Sequence, residues 1–249
     1  MRFRQKFPAV LLLSLLVGAA GAQADEPPAV EAKFGFASRE VFRGVERGGA
    51  SAQAGVEFYR EGFYGGMDTN QPFSRDGARE VNLHAGFAWE PNSALKLDAS
   101  LTQNWFSQAP GGGVDRSLEA GLAATLAPIN GFTPGLAYYH DFRFRADTAQ
   151  ISLARSIALT KLGTFLDLNF LAGWVNGDNW RPDAPSPRLH DSYAYWGGEA
   201  RLPYRVGPHS TVVAGLHYED AFGRSQANGP FGHQTRGNLW VSLGVNLDF

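Results

Sequence analysis

Six histidines and no cysteine bound the chemistry open to this 249-residue chain. Acyl transfer or hydrolysis needs a nucleophile or water activated by a histidine that a carboxylate or amide holds in place. Three histidines have an acidic residue close in sequence: His217 with Glu219, His140 with Asp141, and His190 with Asp191. Only His217 and Glu219, two residues apart, share one face of an extended strand. No serine in a characteristic local motif accompanies them, so a hydrogen-bonded histidine is the expectation at each place and no catalytic residue is assigned. The lack of cysteine removes disulfides and thiolate metal sites. Asp178, Asn179 and Asp183 lack the spacing of a calcium loop, and Gly111-Gly112-Gly113 lacks the Lys-Ser/Thr and the helix of a phosphate cradle. No metal and no cofactor is expected.

The composition says what kind of scaffold must carry these groups. Charged residues make up 18% of the chain, less than the roughly 25% usual in soluble domains. Glycine, at 30 residues, is over-represented. With 18 Phe, 8 Tyr and 6 Trp the chain is too aromatic to be disordered. A formal net charge of −2 without a basic cluster gives no electrostatic footprint for nucleic acid, which is not expected as a partner. At the N-terminus Arg2, Arg4 and Lys6 precede the apolar run Val10 to Val17, and Ala22-Gln23-Ala24 follows. That order reads as a secretory signal peptide over 1–24, leaving 25–249 as one domain. Losing its three basic residues takes the formal charge from −2 to −5.

No later stretch is apolar enough for a spanning helix, so entry into a membrane would require a closed β-barrel. The C-terminus has the required period of two. Leu239, Val241, Leu243, Val245, Leu247 and Phe249 share one face, against Asn238, Trp240, Ser242, Gly244, Asn246 and Asp248 on the other. The same dyad runs through Val81 to Glu90, Leu95 to Thr102, Leu118 to Leu126 and Leu166 to Phe170. A soluble sandwich also alternates, but its polar face meets bulk water and carries more Lys, Thr and Glu than Gly. About twelve strands are predicted, over 30–43, 50–59, 62–70, 79–90, 93–106, 116–127, 131–143, 147–160, 163–176, 190–204, 209–222 and 235–249.

Connection lengths support this fold class, an all-β transmembrane antiparallel up-and-down barrel. Arg60-Glu61, Glu90 to Asn92, Pro128 to Gly131, Lys161-Leu162 and Arg205 to Pro208 are tight and occupy every second connection. The others are longer, such as Gln108 to Val114, Gly177 to Leu189 and Gly223 to Gln234. Bacterial barrels put short turns in the periplasm and long loops outside, so both termini are expected on the periplasmic side. Aromatics near strand ends, among them Trp89, Tyr138-Tyr139 and Tyr193 to Trp196, are expected to form an interfacial girdle. Two residues resist the pattern: Arg155 falls on the lipid face, at roughly 2–4 kcal/mol if near the midplane, and Glu40 falls on the face of Phe34 and Phe36.

The inward face is the candidate site. Arg39, Arg43, Glu57, Asp68, His84, Lys96, Asp98, Glu119, Asp167, Glu199, Arg201, His217 and Glu219 are predicted to line it, with Lys33 and Asp248 beside them. So many charges of both signs are prohibitive in a dry core and tolerable in a wet lumen.

The segment Ser38-Arg39-Glu40-Val41-Phe42-Arg43-Gly44-Val45, followed by Gly55 and by Gly62-Phe63-Tyr64-Gly65-Gly66 up to Thr69-Asn70, resembles the opening of the TorF family, exported porin-like proteins with a short Phe-Arg-Gly signature. Asp191-Ser192-Tyr193-Ala194-Tyr195-Trp196 is similar to that family's later tyrosine-rich strand. Glu40 and Glu46 stand where the family usually has an aromatic residue and a serine. The resemblance implies a proteobacterial outer-membrane barrel with a transport role.

These readings predict a porin of the bacterial outer membrane that passes small hydrophilic solutes or ions through a narrow charged lumen. Its expected partners are outer-membrane lipids, those solutes, and the barrel-assembly machinery, which would read the terminal Phe249. The alternatives are a barrel enzyme hydrolysing lipid, centred on His217, and a structural barrel without a pore.

Overall fold

The computed structural model describes residues 29–74, 79–107, 114–143, 145–180, 188–223 and 237–249. The expected signal peptide, the triple glycine and Asp183 lie outside the described residues, as do the side chains of Asp178, Asn179, His190 and Asp191. The strands are β1 (Ala29–Ala37), β2 (Glu40–Phe42), β3 (Val45–Gly48), β4 (Ser51–Arg60), β5 (Phe63–Pro72), β6 (Arg79–Asn92) and β7 (Leu95–Ser107). They continue with β8 (Val114–Leu126), β9 (Thr133–Asp141), β10 (Ala146–Leu159), β11 (Thr164–Trp180), β12 (Arg188–Gly207), β13 (Ser210–Gly223) and β14 (Asn238–Asp248). Among the described residues β1 and β4 through β14 form a closed antiparallel barrel of twelve strands, while β2 and β3 pair only with each other.

Closure follows from the first strand pairing on both edges. β1 runs beside β14 with Phe34 opposite Val245, and beside β4 with Phe34 opposite Ala54. Phe249 extends the seam, exchanging backbone hydrogen bonds of 2.9 and 3.1 Å with Val30. Every barrel strand therefore satisfies its backbone groups on two neighbours, the condition for crossing hydrocarbon without a helix.

Alternation places apolar side chains outside and polar ones within, the reverse of a soluble protein. Leu122 and Ile151 are 61% exposed, whereas Glu80, Asn82, Thr102, Asn104 and Thr148 are at most 2% exposed. In a bilayer the first group meets lipid and the second is sealed inside. Arg155 keeps its lipid-side position with no break in the β10–β11 register, and its guanidinium stacks 4.7 Å from the ring centroid of Phe132 in the turn before β9. A cation–π contact beside a short turn, rather than a register-resetting bulge, accommodates it.

Short turns stand at or near the expected places, among them Arg60–Phe63 and Thr160–Leu162, while the one expected over Glu90 to Asn92 is strand and its turn falls at 93–94. The expected loop over 177–189 is strand at both of its ends: β11 continues to Trp180 and β12 begins at Arg188, its register partner, with 181–187 outside the described residues. At 17 and 20 residues these strands exceed the about 9–11 that a tilted strand needs to cross, so the wall projects beyond the hydrocarbon there. The expected first strand over 30–43 is also corrected, because the barrel strand ends at Ala37 and 40–48 is a separate hairpin. The alternation that continued to Phe42 belongs to two different sheets.

The aromatics divide between the two faces instead of all joining one girdle. Tyr138, Trp174, Trp196 and Tyr204 point outward and are exposed, while Tyr64, Tyr139, Tyr193 and Tyr195 are buried inside. Three of the inward tyrosines stand directly opposite a glycine on the adjacent strand: Tyr64 with Gly86, Tyr139 with Gly121, and Tyr195 with Gly173. Each ring occupies the space that a side chain on its glycine would take. That packing explains inward glycines beside large rings.

Candidate functional site

The turn Phe42-Arg43-Gly44-Val45 gives the interior its shape. Arg43 and Gly44 have φ of 50° and 77°, two successive left-handed residues, which is the backbone of a tight two-residue hairpin turn. The hairpin leaves the barrel rim after Ala37 and turns into the interior, with its tip against β12, β13 and β14. Its tip is fixed there by the backbone itself: Gly44 N donates to Glu219 Oε2 at 2.6 Å, and Asn238 Nδ2 donates to Gly44 O at 3.3 Å. A Cβ on Gly44 would come within 2.7 Å of Ala221 Cβ and 2.9 Å of Tyr195 Cβ, so the close approach requires glycine. Val175, Tyr193, Tyr195 and Ala221 form the small apolar cluster against which the tip rests.

Arg43 anchors the tip on the other side. Its Nη1 donates to Thr148 Oγ1 at 2.7 Å, Nη2 lies 3.7 Å from Glu119 Oε1, and the guanidinium is 5.0 Å from the ring centroid of Tyr139. Glu40, awkward on the lipid face of a continuous strand, is buried on β2 beside Gly48. Glu46 pairs with Arg39 at 3.6 Å.

The hairpin and the wall enclose a cavity of about 500 Å3. Of the thirteen residues expected on the inward face, Arg39, Arg43, Asp68, Asp167, Glu199, Arg201, His217 and Glu219 line it, and so do Lys33 and Asp248. The other five also face inward, in a packed polar network that borders the cavity wall through Lys33, Asp68 and Arg43 without lining the cavity. Glu57 sits 3.5 Å from Lys33 Nζ and 3.4 Å from His84 Nε2, and His84 Nδ1 is 3.2 Å from Asp68. Asp98 accepts a 3.0 Å bond from Tyr64, Lys96 approaches Glu90 at 3.8 Å, and Glu119 meets Arg43. One half of the interior is thus filled by its own side chains and the other is open.

His140 and His217 part from their sequence neighbours. His140 Nδ1 contacts Asp147 at 2.8 Å, while Asp141 accepts from Ser117 at 2.8 Å. Glu219, on the same face as His217, is taken up by the hairpin tip. His217 instead places Nδ1 3.3 Å from Glu199 Oε2 and Nε2 2.8 Å from Ser242 Oγ, its ring stacked on Trp240 at 5.0 Å. Ser242 carried no sequence signal, because its approach to His217 is set by the β13–β14 register and by Gly215 between them. Among the described residues no group of three His, Asp or Glu side chains is disposed to hold a metal ion.

Similarity to known structures is confined to the fold. No family model and no curated protein sequence matches the chain. Solved structures do. A KdgM porin aligns with a TM-score of 0.54 at 9% identity, over 89% of this chain and 99% of that one. An outer membrane channel from Pseudomonas putida F1 aligns with a TM-score of 0.54 at 12% identity, over 93% and 98%. A NanC porin aligns with a TM-score of 0.51 at 11% identity, over 88% and 98%. This chain has a porin-like barrel fold. The TorF resemblance rests on its motifs alone.

Proposed function

We propose that this protein is a narrow porin of the bacterial outer membrane, exported by its N-terminal signal peptide and passing small hydrophilic solutes or ions. The observation that carries this reading is the β2–β3 hairpin, which leaves beside it a cavity of about 500 Å3 walled by charges of both signs. A twelve-stranded barrel lies between small barrels filled by side chains and the wide 16–18-stranded porins. Narrowing it further with an inserted hairpin makes charge a stronger determinant of passage, because no solute stays more than a few ångströms from the wall. Seven carboxylates and four Lys or Arg side chains line the cavity, so the reading includes a modest cation preference. A KdgM porin has been solved with disordered oligogalacturonate; the acidic balance here disfavours such a polyanion. The short-turn end, with both termini, is assigned to the periplasm.

Planar-bilayer recording of the refolded chain tests the proposal. Discrete current steps, larger for potassium than for chloride at low salt, are the expected result. A folded, heat-modifiable barrel that passes no current would overturn it in favour of a structural role.

A further inference from the structure

We propose that Ser242, His217 and Glu199 form a hydrolytic triad inside the barrel, acting on esters of small hydrophilic acids or alcohols that enter the cavity. The inference goes beyond passage through the lumen and does not depend on it.

Three adjacent strands contribute one residue each: Glu199 from β12, His217 from β13 and Ser242 from β14. Glu199 and His217 are direct register partners, and Ser242 reaches the ring from the next strand. Ser242 Oγ is 2.8 Å from His217 Nε2, and His217 Nδ1 is 3.3 Å from Glu199 Oε2. That is nucleophile to base, and base to orienting carboxylate, in the order and at the reach the chemistry requires. The relay is supported from behind. Arg201 Nε lies 3.6 Å from Glu199 Oε1, the oxygen not facing the histidine. Trp240 stacks flat against the imidazole, with an interplanar angle of 11°. Gly215 stands opposite Ser242, and a Cβ there would collide with both Ser242 Oγ and His217 Nε2.

The position selects the substrate class. All three side chains line the cavity of about 500 Å3, a size that admits a small molecule. They face the polar interior and not the lipid surface, so a lipid acyl chain is not the expected substrate. With Nδ1–H donating to Glu199, Nε2 accepts the Ser242 proton as Oγ bonds to the ester carbonyl carbon. Collapse of the tetrahedral intermediate breaks the ester C–O bond, and the leaving alcohol takes the proton back from Nε2. Water, deprotonated by the same nitrogen, then cleaves the acyl-Ser242 ester, releasing the acid and restoring the serine. Arg39, two residues after Ala37, the β1 register partner of Ser242, lines the same cavity and is paired there with Glu46 at 3.6 Å.

The test uses a fluorophosphonate probe on the refolded full barrel, with the labelled peptide located by mass spectrometry and 4-nitrophenyl acetate hydrolysis followed in parallel. Labelling at Ser242 is expected, with Ser242→Ala abolishing it and His217→Gln slowing it by at least about 100-fold, the usual size of a general-base contribution. Ser242→Cys supplies a second measurement that leaves His217 and Glu199 in place. In a chain without cysteine its thiol should alkylate faster than that of Thr211→Cys, a control on the same cavity wall. An unlabelled Ser242, or a Ser242→Cys thiol no faster than the control, overturns the proposal.

Discussion

Arg43, at the tip of the β2–β3 hairpin, donates a 2.7 Å hydrogen bond to Thr148 on β10, 105 residues away in sequence. This contact and the Gly44–Glu219 bond pin one element across the barrel from two sides. A charge-assisted hydrogen bond of this kind contributes about 1.5–3 kcal/mol. Arg43→Ala removes the bond to Thr148 and the approach to Glu119, so the hairpin should spend more time away from the wall. Gly44→Ala should do the same by collision, since the new methyl group meets Ala221 and Tyr195 and takes up a strained left-handed backbone. Both variants should fold as heat-modifiable barrels and give larger or noisier single-channel currents than the parent. Current steps of unchanged size in both would mean that the hairpin does not set the constriction.

The barrel was legible in the sequence because its physics is local. Period-two alternation, tight turns at every second connection and a low charge content each follow from residues close in the chain. The hairpin was not, because Phe42 continues the parity of Phe34 and Phe36, and nothing in a strand pattern records that the sheet has changed. The Arg43-Gly44 pair was the available signal for a turn, and it read as strand end. The inward set was legible as a face but not as two halves. Whether Glu119 meets solvent or Arg43 depends on where the hairpin lands, and that is fixed by residues more than a hundred positions away. Ser242 was hidden for a similar reason: only the strand register brings it to His217.

The tyrosine–glycine pairs should be a measurable part of barrel stability. Tyr195 covers Gly173 and donates a 2.7 Å hydrogen bond to Gln150. Tyr195→Phe keeps the ring and loses the bond, with an expected cost of about 1 kcal/mol. Gly173→Ala places a methyl group 2.5 Å from the ring carbon that bears the hydroxyl, and overpacking of this kind costs about 1–3 kcal/mol. Urea unfolding in lipid vesicles should rank the wild type above Tyr195→Phe, and Tyr195→Phe above Gly173→Ala. A Gly173→Ala barrel as stable as the wild type would show that the ring has room to move.

Phe249 combines an exposed ring with backbone bonds to Val30, so a deletion would confuse recognition with closure. Phe249→Ala separates them, because the backbone bonds survive. If the ring is what the assembly machinery reads, the variant should insert more slowly in cells, yet refold in detergent like the parent. Equal insertion in cells would remove Phe249 from that role.

Charge selectivity should divide along the two halves of the interior. Asp68 and Asp167 line the open cavity, whereas Glu119 lies on the packed side beside Arg43 and outside the cavity wall. Asp167→Asn, alone or with Asp68→Asn, should move the cation-to-anion permeability ratio toward unity, with the difference fading as salt shortens the Debye length to about 3 Å at 1 M. Glu119→Gln should act differently. It weakens the seat of Arg43 without removing a charge from the passage, so channel size or noise should change more than the permeability ratio. Reversal potentials measured across a salt gradient give the ratio, and single-channel records give the size. A Glu119→Gln variant that shifts the ratio as far as Asp167→Asn does would mean that ions pass on the side of the interior that is packed in this structure.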